Sequence, residues 1–256
     1  MKPRLIDLYG GVGGAACGYQ RAGFYVVSVD IVEQPNSCAD EFIQSSALDV
    51  LADLDFMATF AAAHASPPCQ AGCAITQGTN RSRGWGRQHR QLVPATRALL
   101  DLSGLPCVIE QPTGHGGLIR RDLMLCMDMF RSGPPPWVQR HRDFELSGFA
   151  VPQPLHPRHE GRVRGMRHGE VFDGPYVAAY GSGGGKATDD EMRHAMGIPW
   201  ARERTELTEA IPPAYTQYIG EHLMKSVSAG IDSAGMDARG GARLPALAAS
   251  TVDSVR

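Results

Sequence analysis

The first thirty residues constrain the fold of this chain more than any other stretch. Residues 4–9 are an apolar run that Gly10-Gly11-Val12-Gly13-Gly14 interrupts, and residues 15–22 carry a short helical pattern that Gly23 can stop. Phe24-Tyr25-Val26-Val27-Ser28-Val29-Asp30 is then a second apolar run ending in an acid. Strand, glycine loop, helix, strand and terminal carboxylate, in that order, make a nucleotide-binding half of a doubly wound sheet. The glycines let a ligand approach the backbone, and the acid accepts from ribose hydroxyls. The expected class is therefore α/β, with a doubly wound, Rossmann-like sheet.

The loop is not G-x-G-x-x-G, so it does not single out NAD; a nucleoside without a pyrophosphate, such as S-adenosylmethionine, fits at least as well. A second feature lies at Ala65-Ser66-Pro67-Pro68-Cys69-Gln70. Residues 60–65 read as a short buried strand, and two prolines hold the chain extended behind it. Cys69 thus falls at the carboxyl end of a strand, the edge where open α/β sheets bind ligands. An isolated cysteine is more often a small buried hydrophobe. Glu110 closes the apolar run 105–110 as Asp30 closes its own, and the alternation of residues 137–146 suggests a strand with Arg140 and Arg142 on one face.

Between these features the pattern predicts a helix at 40–43, a strand end and turn at 46–51, and a helix with Leu92, Thr96, Leu99 and Ser103 on one face. A further helix is expected through Leu123, Met127 and Phe130. Residues 70–87 form a loop rich in glycine and arginine, too long for a plain connection and suited to be an active-site lid. Residues 148–190, with Pro152, Pro154 and Pro157, then Arg162, Arg164 and Arg167, and then Gly181 to Gly185, have little periodicity and read as a small irregular subdomain. Ile211-Pro212-Pro213 opens a last helix carrying Tyr215, Tyr218, Ile219 and His222, and beyond Lys225 no pattern remains. The organisation expected is a catalytic domain over 1–147, a subdomain over 148–190, a return to the first domain over 191–228, and a disordered tail over 229–256.

A length of 256 residues suits one α/β domain with a small appendage. No apolar run approaches the ~18 residues of a membrane span, and the N-terminal residues have neither the apolar region nor the cleavage site of a signal peptide, so a cytoplasmic protein without a membrane partner is expected. Its cysteines, at 17, 38, 69, 73, 107 and 126, are then expected as thiols. Cys69 and Cys73 have no second pair to complete a zinc site, and no metal is expected. The net charge of −2 divides into −5 over residues 1–80, +7 over 81–168 and −4 over 169–256, and all fourteen basic residues of the middle third are arginines. That bias leans towards phosphate or base contacts.

Taken together, these motifs resemble the cytosine-C5 methyltransferases, and most of all the short members found in phages and actinobacteria. Asp7-Leu8-Tyr9-Gly10-Gly11-Val12-Gly13-Gly14 is similar to the first motif of that family, and Pro67-Pro68-Cys69-Gln70 to its nucleophile motif. Glu110-Gln111-Pro112 stands where the family has Glu-Asn-Val, Arg140-His141-Arg142 resembles its paired-arginine strand, and Ile211-Pro212-Pro213-Ala214-Tyr215 with Tyr218-Ile219-Gly220 its closing helix. The resemblance runs in order over residues 4–224. Three departures stand out: Ser46 replaces the acid that holds the adenine amine, with Asp49 three residues on; Gln111-Pro112 replaces Asn-Val; and the stretch between Arg142 and Ile211 is short for a target-recognition region.

The resemblance implies transfer of a methyl group from S-adenosylmethionine to C5 of a cytosine flipped out of double-stranded DNA, leaving S-adenosylhomocysteine. It implies Cys69 as the nucleophile at C6, Glu110 as the acid at N3, Arg142 on the base's O2 and Arg140 positioning the base. The cofactor would lie on Asp7, Tyr9, Gly10, Gly11, Val12, Gly13, Gly14, Asp30, Ile31, Ser46, Ala47 and Pro68. DNA would meet Gln70, Arg81, Arg83, Arg87, Arg158, Arg162, Arg164 and Arg167. A monomer in a bacterial or phage-infected cytoplasm, working beside a restriction enzyme or another modification enzyme, is the expected setting. An RNA-directed relative and a non-enzymatic nucleic-acid-binding module of the same fold are the competing readings.

Overall fold

The structure, a computed structural model, describes residues 1–69, 91–167, 169–179 and 187–237. Its organising element is a seven-stranded sheet in the order β3-β2-β1-β4-β5-β8-β6. These strands are β1 (Arg4–Leu8), β2 (Tyr25–Asp30), β3 (Glu41–Gln44), β4 (Ala62–Ala65), β5 (Cys107–Pro112), β6 (Leu123–Leu125) and β8 (Arg142–Ser147). β3, β2, β1, β4 and β5 are parallel, and β8 is antiparallel to both β5 and β6. The strand order reverses between β1 and β4, which makes the carboxyl edge there the crevice of a doubly wound sheet.

Helices cover both faces. On one lie α1 (Gly14–Arg21) and α7 (Pro213–Asp237), whose Tyr19, Tyr215, Ile219 and Leu223 pack with Leu5, Val26, Val108 and Phe144. On the other, α2 (Ala47–Ala52), α3 (Leu54–Met57) and α4 (Val93–Ser103) bring Leu51, Met57 and Leu100 onto Ile6, Val27 and Ala63. A third cluster joins Val138 and Val177, from the small pair β7 (Trp137–Val138) and β11 (Tyr176–Val177), to Met192 and Met196 of α5 (Asp189–Met196) and Leu207 of α6 (Arg204–Glu209). A short hairpin, β9 (Gly165–Arg167) and β10 (Glu170–Phe172), lies in the otherwise irregular stretch after β8. Among the described residues no helix is long and apolar enough to cross a membrane.

Five local expectations are corrected. Residues 41–44 are an edge strand and not a helix, because Glu41 pairs with Val27 while the Asp40 carboxylate takes the Val26 amide at 2.8 Å. Residues 47–52 are helical, with Ala47 and Leu51 turned into the core one turn apart. Residues 123–125 form β6 and only Met127–Phe130 coils, as a 3₁₀ turn, since Leu123 and Leu125 alternate inward against β8. The single strand expected over 137–146 is broken in two: β7 joins β11, residues 139–141 leave the ladder, and β8 starts at Arg142. The last helix also continues past Lys225 to Asp237, with Val227 in the core. Pattern reading missed α5 and α6, although Thr188 and Glu191 form a capping box whose T-x-x-E signature is visible in the sequence.

α1 and α7 touch through small residues. A methyl group added at Gly18 would fall 2.0 Å from Thr216 Oγ1 and 2.2 Å from the Pro213 carbonyl oxygen, and Thr216 donates to the Ala15 carbonyl at 2.8 Å. Gly18→Ala must push the helices apart, a kind of overpacking that typically costs about 1–3 kcal/mol. We expect a lowered urea midpoint with an unchanged denaturant slope; a midpoint equal to that of the parent chain would show that the helices meet elsewhere.

Candidate active site

At the carboxyl end of β1 the chain turns through Tyr9, a non-glycine residue at φ 61°, whose hydroxyl pairs with Thr96 Oγ1 of α4 at 2.8 Å. The Gly10 amide donates to the Val29 carbonyl at 3.1 Å and the Gly11 amide to Asp30 Oδ2 at 3.0 Å, which fastens the loop to the tip of β2. Gly10 has no room for a side chain, because a Cβ there would lie 2.0 Å from Ser28 Oγ. Gly11, at φ 52°, has nothing within 4 Å of the same position, so its backbone is open to a ligand. Val12 is buried with its carbonyl taken by Trp200 Nε1 at 2.9 Å, Gly13 caps α1, and Gly14 begins it.

Other residues read as cofactor contacts gather at the same edge. Asp30 accepts from Gly11 and, through Oδ1, from Val32 at 3.0 Å. A carboxylate has about four acceptor sites, so it keeps capacity for hydroxyls. Ile31 beside it is 70% exposed, a large apolar surface at a strand tip. Ser46 is the residue before α2, its side chain capping nothing, with Ala47 buried and Asp49 exposed in the first turn. Asp7, below the loop, is fully buried, and neither of its oxygens has an aligned donor among the described residues. Burial first and the Asp30 charge second push its carboxyl up to about 8. Glycine backbone with open space, an acid with free lone pairs and an exposed apolar neighbour together fit a nucleoside cofactor.

Cys69 follows β4 by four residues and is half-buried, behind a buried Pro67 and an exposed Pro68. The Gln111 side-chain amide donates to the Pro67 carbonyl at 2.6 Å, so the residue after Glu110 ties the end of β5 to the segment that presents the thiol. Glu110 is 4% exposed. Its carboxyl is pushed above the usual range by burial, against the opposing pull of Arg142, Arg140 and a hydrogen bond from the Ser66 side chain. Arg142 Nε stands 2.7 Å from Glu110 Oε1, although the N–H is not aimed along that line. Antiparallel pairing sets this contact: Glu110 lies opposite Phe144 and Pro112 opposite Arg142, so the last residues of β5 meet the first of β8.

Behind Glu110 runs a buried polar chain. His64 Nε2 lies 2.9 Å from Ser66 Oγ, and His64 Nδ1 lies 3.0 Å from the Tyr19 hydroxyl. Burial holds the imidazole down to about 3, so it is neutral, with one nitrogen donating and the other accepting. With Tyr19 donating to Nδ1, Nε2–H donates to Ser66 Oγ and leaves the Ser66 hydroxyl hydrogen for Glu110. The sequence reading did not single out His64 or Ser66; a histidine and a serine two apart on a strand share a face, which is the signal that was there.

Arg140 does not stand beside Arg142 as an equal. It is 4% exposed, and its terminal nitrogens donate to the carbonyls of Ala179, Thr208 (2.8 Å) and Ala210 (2.8 Å). Burial, with repulsion from Arg142 second, lowers its guanidinium to about 9. Its charge still reaches Glu110 and Cys69. It therefore acts on the site by fixing the backbone and by its field.

Several described arginines of the middle third are paired within the fold. Arg97 grips both oxygens of Glu145 at 2.8 and 2.7 Å, Arg120 adds a contact at 3.0 Å, Arg121 pairs with Asp143 at 3.0 Å, and Arg131 pairs with Glu160 while lying 4.1 Å over the Trp137 ring. Of the residues expected on DNA, Arg164 is paired with Glu191, Arg162 lies over Phe172 at 5.4 Å, Arg158 is exposed and Arg167 is in β9. Gln70, Arg81, Arg83, Arg87 and Cys73, with the whole expected lid, lie outside the described residues.

No family model and no curated protein matches this chain. Solved structures do. An E. coli prophage-encoded protein described as a DNA modification methyltransferase aligns at 13% identity over 89% of this chain and 100% of its own, with a TM-score of 0.52. The Dnmt2 methyltransferase of S. pombe aligns at 14% identity over 88% and 99%, with a TM-score of 0.53. At such identities the likeness is one of fold: the seven-stranded, doubly wound architecture of this chain is that of the S-adenosylmethionine-dependent methyltransferases.

Proposed function

We propose that this chain transfers a methyl group from S-adenosylmethionine to C5 of a cytosine in double-stranded DNA, through a covalent adduct on Cys69. The observation that carries this reading is the convergence of a thiol behind a proline lock, a buried carboxyl with a raised pKa and an arginine on that carboxyl, at the same sheet edge as the glycine loop. The two solved structures named above, one described as acting in DNA modification, support the same class of reaction.

Cytosine C5 is a poor nucleophile. In the proposed reaction the Cys69 sulfur forms a bond to C6, the C5=C6 electron pair is displaced towards N3, and Glu110 delivers its proton there. Burial suits Glu110 to this step, because it raises the carboxyl's pKa and so favours the protonated form. Arg142, whose five N–H donors exceed its contacts with Glu110 and the His141 carbonyl, holds the base's O2. Bound S-adenosylmethionine supplies an electrophilic methyl group for C5. Loss of H5 to a base then lets the C6–S bond break, which restores C5=C6 and expels Cys69 as a thiolate, while the N3 proton returns to Glu110. Because C5 and C6 are out of reach in a stacked duplex, the cytosine must be flipped out.

Trapping on DNA that contains 5-fluorocytosine tests the nucleophile, since fluorine cannot leave as H5 does. Cys69→Ser should abolish the adduct, and a Cys69→Ser protein that still forms one would reject the assignment. An adduct on the matching RNA and none on DNA would move the substrate to RNA.

Glu110→Gln should lower single-turnover methyl transfer by ~10²–10⁴-fold while cofactor affinity, measured by calorimetry, stays unchanged. As an acid Glu110 works only while protonated, so the rate is full below its pKa and falls as pH rises through it. The Ser66 hydrogen bond lowers that pKa. Ser66→Ala should therefore raise it and move the alkaline limb of the rate profile to higher pH. A shift to lower pH, or none, would show that Ser66 does not donate to Glu110.

A further inference from the structure

Four potential metal ligands converge outside the site described above. Cys126, His141, His156 and His159 each offer one ligand atom, and these atoms all lie within 4.8 Å of one another. Cys126 immediately follows β6, His141 immediately precedes β8, and His156 and His159 belong to the irregular stretch that follows β8. The spacing is Cys-x₁₄-His-x₁₄-His-x₂-His, with no short Cys pair to announce it. His141 Nε2 and His156 Nε2 are 3.1 Å apart. Zinc–nitrogen bonds of about 2.0–2.1 Å in a tetrahedron place two imidazole nitrogens roughly 3.3 Å apart.

A further observation points to a cation among these atoms. Asp128 is 6% exposed; its Oδ2 accepts from His159 Nδ1 at 2.6 Å and from the Tyr176 hydroxyl at 2.6 Å, while its Oδ1 has no hydrogen-bond partner among the described residues. With Nδ1–H donated to a carboxylate, His159 keeps the Nε2 lone pair for a metal, the tautomer that a metal-ligating histidine takes.

We propose that Cys126, His141, His156 and His159 bind a zinc ion. One sulfur and three imidazoles in a compact set suit zinc among the common divalent ions, and four protein ligands close the coordination shell, which marks a structural site rather than a catalytic one. The ion would staple residues 156–159 to the ends of β6 and β8. His141 lies between Arg140 and Arg142, so the same staple would fix the backbone from which both arginines project. None of this depends on the methyl-transfer reading.

The test uses the full chain without a histidine tag, purified without chelator and measured for metal by inductively coupled plasma mass spectrometry. Stoichiometric zinc is expected. Replacing it with cobalt should give the visible bands of a tetrahedral site together with a thiolate-to-metal charge-transfer band that Cys126→Ser lacks. Because Cys126 is buried and its variant could misfold, His156→Asn, in an irregular half-buried position, should independently weaken zinc binding, and Asp128→Asn should weaken it by about 10–100-fold. Removing the ion should speed tryptic cleavage at Arg158 and Arg162. Tag-free protein with neither zinc nor cobalt binding would overturn the proposal, as would zinc retained at full affinity in a folded His156→Asn variant.

Discussion

A carboxyl group buried at the end of a strand must be neutral, paired or both, and Glu110 is the residue for which the surrounding sheet edge provides both. Burial raises its pKa, while Arg142 at 2.7 Å and the Ser66 hydroxyl pull the other way. Neither partner could stand there without the sheet. β8 runs antiparallel on β5, which lays Arg142 against Pro112, two residues from Glu110; β4 runs parallel on the other side, which brings Ser66 and then Cys69 to the same edge. Gln111 ties the two parallel strands beyond their ladder by holding the Pro67 carbonyl. A departure from the resembled motif thus has a definite role: the longer side chain reaches the segment that carries the thiol.

The same economy of charge runs through the rest of this half of the sheet. Glu145, 2% exposed, is satisfied by Arg97 from α4 and by Arg120, whose backbone amide also donates to it at 2.8 Å. Asp143 meets Arg121 at 3.0 Å and His115 at 3.3 Å. Losing the partners of either carboxylate would leave a buried charge uncompensated, which is far more costly than the pairing is stabilising. These pairs hold β8 to α4 and to residues 115–121, and through β8 they hold Arg142 on Glu110. Arg140 completes the arrangement from the other direction, by fastening the carbonyls of Ala179, Thr208 and Ala210 around one buried guanidinium.

Electrostatics at the glycine loop follows a different logic. Asp7 is buried with no aligned donor, and Ser28 Oγ beside it is equally unpartnered among the described residues. An acid with a pKa of about 8 there is neutral over most of the physiological range, so the loop above it is not faced by a full negative charge from below. The negative charge at this edge lies instead at Asp30, where two backbone amides fix its direction. The fold itself thereby holds loop and acid in a fixed relation.

How much of this could be read from the residues alone depended on the range of the interaction. The glycine loop, the strands on either side of it, the proline lock before Cys69 and the carboxylates at strand ends were legible, because turn chemistry and short apolar runs act over a few neighbours. Residues 41–44 and 123–125 were misread, because cross-strand pairing with β2 and β8 overrides weak local preference. That Arg140 donates to three carbonyls from remote segments could not be read, since nothing in the sequence shows that those carbonyls converge on it. The pairing of Arg97, Arg120, Arg121, Arg131 and Arg164 was not legible, because their acidic partners lie 2 to 48 residues away. Four ligands spread over residues 126–159 gave no motif either. The sequence by itself determined where the backbone turns and which groups end the strands; only the tertiary structure decided which buried charges meet, because that depends on which strands lie side by side.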